Sequence, residues 1–342
     1  MNRFAVAAAS SLAEAAAGAS ATVANAMTVP PEGHGYSEVS VIKAGGIDLL
    51  DLIKEGLLAP SKVVNLKDVP GLDGVAEEAD GGLRIGPMAT LASLAAHPKV
   101  RADYPALADA LGDSASPQIR NVATLGGNLL QRPRCWYLRS HAFRCLRKGG
   151  GHCFAIHGEN QYHAIFNNMP CAIVHPSTAA TALVALGATV EITGAAGTAR
   201  RLLLENFFVP AERDMQREND LGPREILTAI RLPKLAASVR MAYIKQGEKD
   251  SFDWPLADVA AVLDVDSRGV CRHASLVLGA AAPVPYRAGT AEAALTGKRV
   301  DEAAARQAAR AALDGATPLS KNAYKLPLFE ALVRRAIVKA GG

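Results

Sequence analysis

Aromatic residues and cysteines are scarce in this chain of 342 residues, which has eight Phe, seven Tyr, two Trp and five Cys. So few cysteines over such a length exclude the dense disulfide framework of short secreted domains. No run of about eighteen apolar residues occurs, which excludes an apolar membrane-spanning helix. Charge of one sign is lacking too: 37 Lys and Arg against 33 Asp and Glu leave a net charge of +4, and bulk electrostatics therefore demand no nucleic-acid partner. Internal repeats and low-complexity linkers are absent. What is present is 49% hydrophobic residues, enough to bury a large core in two or three domains. The Ala-rich stretch from Phe4 to Met27 does not read as a signal peptide, because Glu14 interrupts it and no twin-Arg pair precedes it. An ordinary helix over Leu12 to Asn25 and a cytoplasmic protein are the expectations.

Four of the five cysteines crowd into one loop-rich segment, as Cys135, Cys145, Cys153 and Cys171 with spacing C-x9-C-x7-C-x17-C. Thiolates are soft ligands suited to zinc and to iron–sulfur clusters. Zinc usually takes two tight C-x2-4-C knuckles, which this spacing lacks, although His141, His152, His157 and His163 lie nearby as possible ligands. A [4Fe–4S] cluster needs four thiolates and tolerates irregular loops, and it is the reading the spacing favours. Disulfides and unligated buried thiols stay open beside it. Through the same loop runs an acid-free basic set, Arg132, Arg134, Arg139, Arg144, Arg147 and Lys148, expected to form a solvated face or to temper the charge of a thiolate-held cluster.

Two glycine turns flank apolar stretches. Val39 to Ile42 reads as a buried strand, Leu49, Leu50, Ile53 and Leu57 recur at helical spacing, and Ala44-Gly45-Gly46 lies between them. A strand that turns through paired glycines into a helix exposes backbone N–H groups, which suits phosphate. The second turn is Ala123-Thr-Leu-Gly-Gly-Asn, so two loops are expected to converge on one extended anionic ligand, with a dinucleotide as the candidate. Strands are further expected at Val63 to Leu66, Gly82 to Ala89, Ala188 to Ile192, Glu225 to Leu232, Ala242 to Gln246, Ala257 to Asp264 and Val270 to Leu278. Helices are expected at Leu91 to Ala96, Tyr104 to Leu111, Ala179 to Leu186, Ala291 to Leu295 with Thr290 as cap, Asp301 to Leu313 and Pro327 to Lys339.

The succession of AGG-x-DLL, TLGGNLL, Tyr243-x-Lys245 and a C-terminal run of strands then helices resembles the FAD-binding medium subunit of the xanthine dehydrogenase / carbon monoxide dehydrogenase family of molybdenum hydroxylases. The cysteine insert, from TLGGNLLQR to CAIVHPS, is similar to the aldehyde oxidoreductase branch, whose flavin subunit carries an additional [4Fe–4S] cluster. The resemblance implies an α+β fold: a two-subdomain FAD-binding domain of the PCMH type (1–60 and 61–232, the second bearing an insert at 131–175), then a C-terminal domain of antiparallel sheet and helices at 233–342. It implies that Val41, Ile42, Lys43, Ala44, Gly45, Gly46, Ile47 and Asp48, with Ala123, Thr124, Leu125, Gly126, Gly127 and Asn128, cradle FAD, and that Thr178 and Lys245 lie near the flavin. Cys135, Cys145, Cys153 and Cys171 would hold the [4Fe–4S] cluster. Ile47 stands where the family usually has Thr, and Thr178 where it usually has Asp.

By the same resemblance the chain would be an electron-transfer subunit of an oxidoreductase acting on an aldehyde or N-heterocycle, with no catalytic residue of its own. Its partners would be a molybdopterin-binding large subunit, a [2Fe–2S] small subunit and an electron acceptor, with no nucleic acid and no membrane span. Co-export with a partner would make the location periplasmic instead. The rival reading from the residues alone is a zinc-stabilised nucleic-acid-binding module built on the basic Cys/His loop.

Overall fold

The computed structural model describes residues 3–28, 37–249 and 252–342. The N-terminal part comprises β1 (Ala5–Ala8), α1 (Leu12–Gly18), α2 (Val23–Thr28), β2 (Ser37–Lys43), α3 (Ile47–Lys54) and β3 (Pro60–Asn65). Its three strands form a parallel sheet in the order β1-β3-β2. The single helix expected over Leu12 to Asn25 is therefore corrected: a strand precedes it, and the helix breaks into two. Helix propensity of the alanines is overridden by pairing, since Ala5 to Ala8 register against Lys62 to Asn65. At the break, the N–H groups of Ser20 and Ala21 both donate to the Ser40 carbonyl, at 3.0 and 3.2 Å.

The middle part adds β4 (Val75–Glu77), β5 (Leu83–Ile85), α4 (Leu91–Ala96), α5 (Pro98–Asp103), α6 (Pro105–Gly112), α7 (Pro117–Arg120) and α8 (Leu125–Leu129). After the cysteine loop come α9 (Thr178–Ala185), β6 (Thr189–Gly194), β7 (Ala199–Leu203), α10 (Leu204–Phe207) and β8 (Glu225–Leu232). Its antiparallel sheet runs β4-β5-β8-β6-β7. Helix α9 is buried along its whole length, which explains why it is apolar all round rather than on one stripe.

The C-terminal part holds β9 (Val239–Gln246), β10 (Ala257–Val265), β11 (Cys271–Gly279), β12 (Tyr286–Arg287), α11 (Gly289–Leu295), α12 (Glu302–Ala311) and α13 (Lys325–Gly341). The four strands make an antiparallel sheet, β12-β11-β10-β9. One face packs on α6 and α9 through Tyr243, Ala260 and Val277, and the other on α11 to α13 through Val259, Leu263 and Leu278 against Phe329 and Val333. The near-continuous burial of β10 follows from that double cover. Thr290 does not cap α11; its hydroxyl donates to the Ala311 carbonyl at 2.6 Å instead.

Candidate flavin cavity and thiol cluster

The two glycine turns meet. Gly46, at φ 85°, is the N-cap of α3, a left-handed conformation that glycine adopts without strain. A Cβ on Gly45 would lie 2.2 Å from the Val122 carbonyl oxygen, so the two loops touch backbone to backbone only because no side chain intervenes. At the second turn Thr124 caps α8, its hydroxyl accepting from the Gly127 N–H at 3.2 Å. Gly126 packs on Pro87, where a Cβ would come within 2.7 Å.

These turns border a cavity of about 380 Å³ that takes in Ile42, Ala44, Gly45, Gly46, Ile47 and Asp48 from one loop, and Ala123, Thr124, Gly126, Gly127 and Asn128 from the other. Thr178 and Lys245 also line it. Three expected residues do not. Val41 and Leu125 are buried in the apolar core, because a strand and a helix start each turn alternate residues inward, and the Lys43 ammonium donates to the Ala44 carbonyl at 3.1 Å. Pro87, Met88, Ser114, Ala115 and Trp254 line the cavity unannounced by any motif; the only local sign is the positive φ of Ala115.

Lys245 donates to the Asp113 carbonyl at 2.6 Å, and burial holds its ammonium below the usual lysine range. Across the ladder from it stands Asp258, buried, whose carboxyl burial pushes up to about 7. Burial likewise brings Lys325 down to about 7 and His175 down to about 3. Asp48 accepts from the Arg132 N–H at 2.7 Å and pairs with Arg134 at 2.9 Å and Arg139 at 2.6 Å. The guanidinium of Arg134 also stacks on Trp254, 4.4 Å from the ring centroid.

Cys135, Cys145, Cys153 and Cys171 all line one small cavity, together with His163 and Arg147. All are free thiols. Burial pushes Cys135 up to about 12; a hydrogen bond between Cys153 and Cys171 lowers the first and raises the second. Among the described residues no three His, Cys, Asp or Glu side chains are arranged to hold a single metal ion. Of the histidines weighed as ligands, only His163 lines the thiol cavity, with Nε2 3.3 Å from Cys135 Sγ, while His141, His152 and His157 are exposed. Cys271 lies apart in β11, its thiol donating to the His273 carbonyl at 3.3 Å.

The basic run is not a solvated face. Arg132 and Arg147 are 2% and 1% exposed and both donate to Glu218 Oε1, at 2.9 and 2.7 Å. Only Arg144 of the six basic residues is exposed. The carboxylates that turn Arg132, Arg134, Arg139 and Arg147 inward come from distant segments, which a local reading of charge does not see, while the Lys148 ammonium donates to the nearby Ser140 carbonyl.

Residues 3–235 match the family described as the FAD binding domain in molybdopterin dehydrogenase, and 242–340 match the CO dehydrogenase flavoprotein C-terminal domain. The chain belongs to the FAD-binding medium subunits of the xanthine dehydrogenase / CO dehydrogenase family, and it is an oxidoreductase subunit of the α+β architecture expected. Among its relatives is the aldehyde oxidoreductase FAD-binding subunit PaoB of Escherichia coli (strain K12), 34% identical over 87% of this chain and 90% of that one. Another is the nicotine 6-hydroxylase medium subunit of Paenarthrobacter nicotinovorans, 30% identical over 89% and 90%. Among solved structures, carbon monoxide dehydrogenase from Hydrogenophaga pseudoflava superposes with a TM-score of 0.72 at 27% identity, covering 99% of this chain and 97% of that one. This membership displaces the zinc-stabilised nucleic-acid-binding alternative. No helix among the described residues is long and apolar enough to cross a membrane.

Proposed function

We propose that this chain carries FAD and one [4Fe–4S] cluster and passes electrons from a [2Fe–2S] subunit to an external acceptor, within a complex whose molybdopterin-binding large subunit oxidises an aldehyde or N-heterocycle. The observation that carries the cluster is the convergence of Cys135, Cys145, Cys153 and Cys171 on one cavity, from positions spread over the whole loop. Four thiols around one cavity supply the soft ligands that a cluster takes, and their wide spacing lacks the tight paired knuckles usual for zinc. The names of the relatives, an aldehyde oxidoreductase and a nicotine hydroxylase, support the substrate class.

FAD suits the larger cavity because Gly45 and Gly46 border it at the N-terminus of α3, where amide N–H groups can face a pyrophosphate, while the Gly126 and Gly127 N–H groups donate to the Pro87 carbonyl and the Thr124 hydroxyl and shape the second turn. When bound, the flavin supplies the redox chemistry. The chain's own part is to hold it with the two turns, to cover it with Thr178 and Lys245, and to keep water from its buried flank. Ile47 contributes no hydroxyl, so the grip rests on the backbone. The domain division at 1–60, 61–232 and 233–342 belongs to the same proposal: the sheets of β4 to β8 and of β9 to β12 each fall within one part, whereas β3 (Pro60–Asn65), the central strand of the first sheet, crosses the first boundary.

The test is an anaerobic purification of the full chain, with flavin and iron measured after denaturation and each cysteine changed to serine in turn. Loss of iron at the four loop positions with retention in Cys271→Ser is expected. Zinc in place of iron in the wild type would remove the cluster; four irons kept in Cys171→Ser would pass the fourth ligand to another group such as His163.

A further inference from the structure

Between the flavin cavity and the thiol cavity lies a chain of three charges. Arg132 lines the first, Arg147 lines the second, and Glu218 Oε1 accepts from both, at 2.9 and 2.7 Å. All three are at least 95% removed from solvent, so water does little to screen them. Two guanidinium groups share one carboxylate, which leaves one buried positive charge in excess. Arg132 Nε and Nη1 and Arg147 Nη2 have no hydrogen-bond partner, and buried charge so poorly matched is costly unless an anion completes it. Arg147 already reaches toward one: its Nε donates to Cys171 Sγ at 3.3 Å.

Resting on the reading that the four cysteines hold an iron–sulfur cluster, we propose that Arg147, fixed by Glu218, is a positioning residue that raises the reduction potential of that four-thiolate site. A single electron gained there makes the site one unit more negative. A guanidinium bonded to a ligand sulfur, in a medium with little screening, favours the more negative state. Glu218 has two effects: it orients Arg147, and its own negative charge holds the potential down. Removing the charge of either residue thus shifts the potential in opposite directions, which a purely structural role would not do.

The experiment is a redox titration of the anaerobic full chain, following the cluster signal by electron paramagnetic resonance, with iron per chain counted in every sample. Arg147→Gln should keep its iron and shift the oxidised-to-reduced ratio at fixed potential at least tenfold toward oxidised, which is about 59 mV for a one-electron couple. Arg147→Lys should fall closer to wild type, and Glu218→Gln should shift in the reverse sense. Full iron with an unchanged midpoint in Arg147→Gln overturns the inference. Should Arg147→Gln lose iron, the sign of the Glu218→Gln shift decides: upward supports it, unchanged or downward rejects it. Wild type that takes up no iron would instead remove the cluster reading beneath it.

Discussion

At Gly45 the difference between a hydrogen and a methyl group decides whether two loops can touch. An alanine there would place its Cβ 2.2 Å from the Val122 carbonyl oxygen, so one loop must retreat. Overpacking of this kind costs about 1–3 kcal/mol. Gly45→Ala is expected to release FAD on gel filtration while the wild type retains it, and equal retention would show that the turns do not need contact to bind. Asp258 makes a different residue-scale prediction. Its carboxyl stays protonated in the folded chain up to about pH 7, whereas it ionises near 3.8 when unfolded. The unfolded state therefore binds fewer protons between those values, and stability falls as pH rises through that window, by at most about 1.4 kcal/mol per pH unit. Asp258→Asn removes this term, so the melting temperature of the variant should gain on wild type from pH 4 to 7 and gain no further above it. A constant offset across the range would refute the assignment.

At the scale of elements, α3 and the cysteine loop are tied through Asp48. Its carboxylate, in the first turn of the helix, takes the Arg132 N–H and the guanidinium groups of Arg134 and Arg139, and the same helix offers Asp51 to Arg139 at 2.8 Å. Two positive side chains and a backbone donor thus converge on one acid that also lines the flavin cavity. Asp48→Ala removes the acceptor of the Arg132 N–H and the nearest carboxylate of Arg134, though Asp51 still holds Arg139, and should cost roughly 1–3 kcal/mol in urea unfolding, since the groups are mostly buried. Because the acid lines the flavin cavity and holds three arginines of the cysteine loop, iron and flavin per chain should fall together. If flavin is lost while iron stays complete, the tie does not reach the cysteine loop.

For the whole molecule the question is what surrounds it. Phe252 and Trp254 line the flavin cavity yet are 61% and 49% exposed, and Met169 is 57% exposed. Large apolar side chains left in water favour a partner that covers them. Produced together with the proposed molybdopterin-binding and [2Fe–2S] subunits, the chain should co-purify with both and give more soluble protein than when produced alone. A native preparation containing only a free homo-oligomer would count against the complex.

The glycine turns and the cysteine quartet were legible in the sequence because their chemistry is set by residue type: only glycine leaves backbone uncovered, and only cysteine offers a thiolate. The strands of the C-terminal sheet were legible too, since β-branched and apolar runs report burial without saying by what. Tertiary structure alone decided the rest. The alanines of β1 became a strand because β3 had an open edge to pair with. Val41 and Leu125 turned inward because the core lies on that side of each turn. The arginine run became a buried bridge between two sites because Glu218, Asp48 and Asp51, far away in sequence, fold against it. Charge acts through space, and a sequence orders residues only along the chain.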